Sequence, residues 1–359
     1  MKRMRRVVAL WLFLGLSTVA SAGMQTLSNL FVFGDSLSDG GNSGLLTQAA
    51  AGVTYPPPPY YNGQYANGPV AVEQLWKLYN PGDNSFKPSL AGGTNYAIGG
   101  ATTGLESYNA VNPNTGALAP VFAQKSNTWQ LATFAAQNRV FDPASSLFVV
   151  WLFPNDVFYY ATTGQLPGTV AGGAGGPGSV SQLIGNGINN IIGTVLALAA
   201  SGAQHFMVPN MPDLGATPAF LGDVALSALS SAFNDNLRLA LTALDAALPS
   251  AEIVQFDTAA AFRDILDNSA AYGLTNTRTA CIADPACNPD TWLFWDGVHP
   301  TTATDRILAA KFRAAIPEPT TTALFAGGLL SILALRWRAL AVKSRTVVVR
   351  RANGNRPPT

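Results

Sequence analysis

Phe31-Val32-Phe33-Gly34-Asp35-Ser36-Leu37-Ser38-Asp39-Gly40-Gly41-Asn42 is a run of apolar residues that stops abruptly in glycine, aspartate and serine. Such a run reads as a strand delivering a serine to the carboxyl edge of a sheet, where α/β proteins place their sites. A serine hydroxyl is a weak nucleophile and needs an adjacent base. The chain has 2 histidines, and His299 stands in Trp295-Asp296-Gly297-Val298-His299-Pro300. One turn can carry both side chains, with Asp296 taking the Nδ1 proton and Nε2 left for Ser36. Each residue also has a plainer reading. Ser36 can be a helix N-cap, and Asp-x-x-His can be a surface turn. That would leave His205, at the start of a strand-like run with no evident acid, as the base.

Working outward, apolar runs at 30–33, 95–98, 147–153, 205–209 and 252–256 alternate with helical spacing at 70–78, 128–137, 184–200, 227–248 and 302–314. This alternation predicts a parallel sheet of about five strands covered on both faces. The run at 147–153 is continuously apolar, as a strand buried on both sides must be. Pro249 stops the longest helix. No repeat at a solenoid or propeller period is visible. Two loops stand out: the stiff Tyr55-Pro56-Pro57-Pro58-Pro59-Tyr60-Tyr61 and the glycine-rich 164–181, the second expected to be mobile. Either can border a cleft or be plain surface.

Composition narrows the possibilities further. Hydrophobic residues make up 48% of the chain, enough for a sizeable core, and charged residues only 11%. With a net charge of +1 there is no field to attract nucleic acid or acidic substrates. Cys281 and Cys287 have five residues between them and no histidine nearby. That is a poor zinc site, and in an exported chain a disulfide is favoured over free thiols.

The ends carry addresses. Residues 1–22 read as a secretory leader: Lys2, Arg3, Arg5 and Arg6, an apolar core, then Ala20-Ser21-Ala22. An uncleaved membrane anchor is the alternative, although the apolar run is short for a span. Near the other end, Ile316-Pro317-Glu318-Pro319 precedes an apolar stretch at 320–335 and then Arg336, Trp337 and Arg338. That stretch is at the lower limit for a spanning helix, and the arginines would hold its end in the cytoplasm. The segment 316–338 resembles the PEP-CTERM sorting signal of Gram-negative bacteria. The resemblance implies export to the periplasm or cell surface, transient anchoring in the membrane and processing by an exosortase. Such signals usually end soon after the arginines, whereas here a basic tail occupies 339–359. The tail reads as a stop-transfer flank rather than a nucleic-acid arm.

Residues 23–315 remain as one domain. Four blocks in it, Phe33-Gly34-Asp35-Ser36-Leu37-Ser38-Asp39, Asn95-Tyr96-Ala97-Ile98-Gly99-Gly100-Ala101, Pro154-Asn155-Asp156 and Asp296-Gly297-Val298-His299-Pro300, stand in one order along the chain. In that order they resemble the GDSL-type esterases and lipases of the SGNH hydrolase superfamily. The stretches at 62–68 and 208–214 fit the same pattern, and no Gly-x-Ser-x-Gly elbow occurs. The resemblance implies a three-layer α/β/α sandwich with a mainly parallel, flavodoxin-like sheet. It also implies hydrolysis of carboxylic esters without a cofactor, through an acyl-enzyme on Ser36 with His299 as base and Asp296 orienting it.

The resemblance further implies an oxyanion hole of the Ser36 and Gly100 backbone N–H groups and the Asn155 side-chain amide. The register leaves Gly99 as an alternative to Gly100. The family usually has glycine two places before that asparagine, where this chain has Phe153. Pro154 predicts an extended Phe153, and its bulk is expected to narrow the cleft. Asp35 and Asp39 read as structural residues closing the turn. Of Trp151, Phe153, Phe158, Tyr159, Trp292, Phe294 and Trp295, most are expected in the core and some in an apolar wall. Lipid esters, acetylated polysaccharide and acyl transfer all fit such a site. A matrix or adhesion protein keeping the fold without catalysis is the reading from another class.

Overall fold

Four of the five apolar runs become one parallel sheet. β1 (Asn29–Gly34), β2 (Ser146–Trp151), β3 (His205–Pro209) and β4 (Glu252–Phe256) lie side by side in that order. The computed structural model describes Met24 and residues 26–317 of the 359-residue chain. The expected leader at 1–22, the sorting segment from 318 onward and the tail at 339–359 lie outside the described residues.

In chain order the helices are α1 (Asn42–Ala51), α2 (Ala71–Tyr79), α3 (Asn127–Gln137), α4 (Pro154–Thr163), α5 (Val180–Ala200), α6 (Val224–Ala247), α7 (Thr258–Asp267) and α8 (Thr302–Ala315). Strand alternation sorts side chains between two cores. Leu30, Val32, Leu147, Val149, Trp151 and Met207 join α2, α7 and α8 on one face. Phe31, Phe33, Phe148, Val150, Phe206 and Val208 join α3, α5 and α6 on the other. This is the expected three-layer sandwich. α5 is long and apolar enough to cross a membrane. Here Leu183, Ile188, Ile191, Val195 and Leu198 seat one side of it in the second core.

The expected strand at 95–98 is not a strand. It holds the flavodoxin-like place outside β1 through three hydrogen bonds: Val32 N–H to the Thr94 carbonyl (3.2 Å), Tyr96 N–H to Val32 (2.8 Å) and Ile98 N–H to Gly34 (3.2 Å). Pairing is a single bridge, Val32 to Asn95. The ladder stops because the Gly34 N–H, which a second bridge would need, goes to Gln130 Oε1 (2.9 Å), while two asparagines serve the segment's other polar groups. The Asn42 amide donates to the outward carbonyls of Asn95 and Ala97 (2.8 and 2.9 Å), and Asn95 Oδ1 accepts the Ala97 N–H (3.0 Å). Side chains thus satisfy what a ladder would otherwise satisfy.

Two further features flank the sheet. The glycine-rich loop at 164–181 is hydrogen-bonded to itself and tied down: the Pro167 carbonyl accepts from Leu105 and Glu106, and Asn190 bonds Val170 and Gly168. β5 (Asn276–Ala280) and β6 (Trp292–Phe294) form a small separate parallel sheet, with the Cys281–Cys287 disulfide in the connection between them. β6 feeds directly into the turn at 296–299.

Candidate active site

The site assembles at the carboxyl ends of β1, β2 and the 94–98 segment, beside the point where strand order reverses. β1 ends in Gly34, where space is tight: a Cβ there would lie 3.0 Å from Ser38 Cβ and 3.2 Å from the Trp151 carbonyl. Gln130 from α3 clamps Gly34 at both ends, accepting its N–H (2.9 Å) and donating to its carbonyl (2.7 Å). Asp39 then braces the turn as expected. It accepts N–H groups from Gly41, Asn42 and Ser43 at the start of α1, and from Gly99 across the site.

Ser36, His299 and Asp296, far apart in sequence, come together. His299 Nε2 lies 2.7 Å from Ser36 Oγ, and His299 Nδ1 lies 2.7 Å from Asp296 Oδ2. Asp296 Oδ1 accepts the Val298 and His299 N–H groups (2.9 and 2.8 Å), and the turn closes with Trp295 N–H on the His299 carbonyl (2.8 Å). Burial alone would push Asp296 up, but the His299 charge and its N–H donors outweigh burial and hold the carboxyl below its usual range. Burial would likewise pull His299 down, yet Asp296, and more weakly Asp35, raise it above an ordinary histidine.

The structure separates the two glycines. The Gly99 N–H is taken by Asp39 (2.9 Å) and Ser43 Oγ (3.0 Å). Gly100 lines the cleft beside Ser36 and Asn155, with φ +78°. Both must be glycine: a Cβ would meet the Tyr65 ring at 2.1 Å from Gly99, and Asn109 Cγ at 2.4 Å from Gly100. Asn155 sits in the first turn of α4, buried, next to Asp156. Asp156 accepts the Thr103 N–H (2.8 Å) and hydroxyl, anchoring the helix start to the loop after Gly100.

Phe153 corrects two expectations. It is not extended but has φ +122° and ψ −32°, a conformation costly for any residue with a Cβ. Nor does it narrow the cleft. Its ring is fully buried against Phe233, with centroids 3.6 Å apart and planes within 5°, and it packs where Gly187 leaves room. Packing in the second core outweighs the backbone cost.

The cleft above Ser36 encloses about 490 Å³, within the range of small-molecule sites. Tyr55, Pro56, Pro57 and Tyr60 of the proline-rich loop form one part of its lining, and Tyr108, Phe158 and Phe220 another. Of the aromatics singled out in the sequence, only Phe158 lines it. Trp151, Phe153 and Phe294 are core, and Trp295 is buried edge-on to Tyr60, with centroids 6.2 Å apart. His205 is elsewhere, at the first residue of β3, paired with Glu252 at 3.1 Å. Burial pushes Asp35, beside the nucleophile, up to about 7 against the pull of the Leu37 N–H, His299 and Asn155. Tyr60 was not legible as a site residue. Its only signal was membership of the stiff loop, yet its hydroxyl donates to Asp296 Oδ2 at 2.8 Å. Among the described residues no group of three or more His, Cys, Asp or Glu side chains is arranged to hold a metal ion.

Comparisons with known proteins identify the family. The chain is 28% identical over 268 residues to a phosphatidylcholine-sterol acyltransferase of Aeromonas hydrophila, covering 74% of this chain and 69% of that one. It is 25% identical over 352 residues to a GDSL esterase/lipase of Arabidopsis thaliana, covering 85% and 92%. A solved acetyl xylan esterase variant from Geobacillus stearothermophilus overlays 82% of this chain and 96% of its own, at 16% identity and a TM-score of 0.40. The model of the GDSL-like lipases and acylhydrolases matches residues 30–312. The chain therefore belongs to the GDSL-like lipase/acylhydrolase family, a family of ester-hydrolysing enzymes.

Proposed function

We propose that this protein is an exported serine esterase whose reaction runs through Ser36, His299 and Asp296. The observation that carries the reading is the unbroken hydrogen-bond chain Asp296–His299–Ser36, ending in a cleft beside Gly100 and Asn155. Ser36 Oγ attacks the ester carbonyl while His299 Nε2 takes its proton, and Asp296 stabilises the imidazolium that forms. Charge on the tetrahedral intermediate falls to the N–H groups of Ser36 and Gly100 and to the Asn155 amide. A preorganised donor of this kind contributes about 3 kcal/mol. His299 returns the proton to the departing alcohol, leaving an acyl-enzyme. Water, deprotonated by the same histidine, releases the acid and frees Ser36.

Ser36→Ala should abolish hydrolysis of p-nitrophenyl acyl esters and labelling by a fluorophosphonate while leaving the unfolding curve intact. Retained hydrolysis would sink the mechanism, and an unlabelled wild-type protein would favour a matrix or adhesion role. The printed name of the Aeromonas relative favours a second reading, acyl transfer, in which an alcohol takes the place of water on the same acyl-enzyme. Product analysis with an added alcohol separates the two. A panel of lipid esters and acetylated sugars identifies the substrate.

The address belongs to the same proposal. The basic, apolar and small-residue order of 1–22, the Pro-Glu-Pro segment at 317–319 with its apolar run and arginines, and the Cys281–Cys287 disulfide support export, membrane anchoring and exosortase processing. Mass analysis of the mature protein would show both termini.

A further inference from the structure

Asp296 Oδ2 is shared. It accepts from His299 Nδ1 at 2.7 Å and from the Tyr60 hydroxyl at 2.8 Å. Tyr60 enters from the proline-rich loop, 236 residues away in sequence, and its ring meets Trp295 and Tyr65 edge-on. The same loop supplies Tyr55, Pro56 and Pro57 to the cleft lining. Burial and the Asp296 charge hold the Tyr60 phenol protonated, far above any working pH, so toward Asp296 it can only donate.

We propose that Tyr60 is a positioning residue for the His299–Asp296 pair, one that locks the carboxylate in place and takes up part of the negative charge His299 would otherwise receive. This rests on the catalytic reading above. A hydrogen bond to an ionised carboxylate is among the stronger ones, and it stabilises the charge where it stands. With Tyr60 present, Asp296 Oδ2 divides its lone pairs between a neutral phenol and the imidazole, so His299 is held less tightly in its protonated form. Removing the hydroxyl leaves Asp296 acting on His299 alone, and His299 then keeps its proton to higher pH. The other groups facing the pair are Asp35 and Ser36 from the β1–α1 turn, the Tyr65 ring at 5.2 Å from the imidazole, and Tyr55 toward Asp296. Of the tyrosines among them, only Tyr60 bonds the carboxylate.

The test is Tyr60→Phe in the full chain, which keeps the ring packing and deletes the hydroxyl. Two histidines make the imidazole resonances readable, and His205→Gln assigns them. In Tyr60→Phe the His299 titration should move up by roughly half a pH unit or more. The acid limb of kcat/KM for p-nitrophenyl acetate should move with it, the loss being greatest near pH 6 and smaller near pH 8.5, with KM changed less than kcat. An unchanged His299 titration would overturn the proposal, whatever happens to activity, since a merely structural tyrosine would lower kcat at every pH alike. Failure of the catalytic reading is seen separately, as activity retained by Ser36→Ala.

Discussion

Both histidines of this chain hold a carboxylate, at opposite edges of one sheet. His299 meets Asp296 at the carboxyl edge, and His205 meets Glu252 at the amino edge, where β3 and β4 begin in register. Burial does not separate them, since each histidine side chain is 13% exposed. What separates them is the company the loops bring. His299 faces Ser36 within a cleft, and its carboxylate is fixed by two backbone N–H groups and a tyrosine. His205 and Glu252 are a directly opposed cross-strand pair. An acid–imidazole pair becomes a base only where a nucleophile and an oriented carboxylate are both supplied.

The largest expected effect tests that contrast directly. His299→Gln should lower kcat by about 10⁴–10⁶, whereas His205→Gln should leave kcat/KM within about twofold and cost no more than about 1 kcal/mol of stability. Comparable losses in steady-state kinetics of the two variants would break the comparison.

Next in size is the backbone. The carboxyl edge holds a phenylalanine in a conformation suited to glycine, and Phe153 pays through its stack on Phe233. Phe153→Ala should cost about 3–5 kcal/mol in urea unfolding. Phe153→Gly should cost less than Phe153→Ala by about 1 kcal/mol or more, because glycine releases the strain. If glycine is the worse of the two, the positive φ is not costly and that edge is not strained.

The smallest effect is on stability against pH. Asp35 and Asp156, both at the carboxyl edge, are pushed by burial from 3.8 to about 7. A carboxyl raised in the folded state binds more protons folded than unfolded between about pH 4 and 7, so stability falls as pH rises through that window. His299, also raised, acts in the same direction at higher pH. Thermal melts should give a Tm several degrees higher near pH 5 than near pH 8. Asp35→Asn should flatten that slope, and a Tm that rises with pH would contradict the assignment.

Much of the fold was legible because strands buried on both faces are written as unbroken apolar runs and helices as 3.6-residue spacing. The run at 95–98 misled for a definite reason: the Gly34 N–H that would continue its ladder with β1 is taken by Gln130, from a different element. The fate of Phe153 was hidden because it depends on Phe233 and on the space beside Gly187. Glycine register in the 95–101 block was hidden for the same kind of reason. Asp39, 60 residues from Gly99, occupies one of the two N–H groups.

The sequence by itself determined the sandwich, the serine at a strand end and the Asp296–His299 turn, because each depends on periodicity or on neighbours within a few residues. Only the tertiary structure decided that His299 and not His205 faces Ser36, that Asp39 takes the Gly99 N–H while Gly100 lines the cleft, and that Tyr60 reaches Asp296. Those facts rest on contacts between residues dozens to hundreds of positions apart, such as 263 for His299 and Ser36. No local pattern encodes such contacts, because what brings the residues together is the packing of whole elements against one sheet.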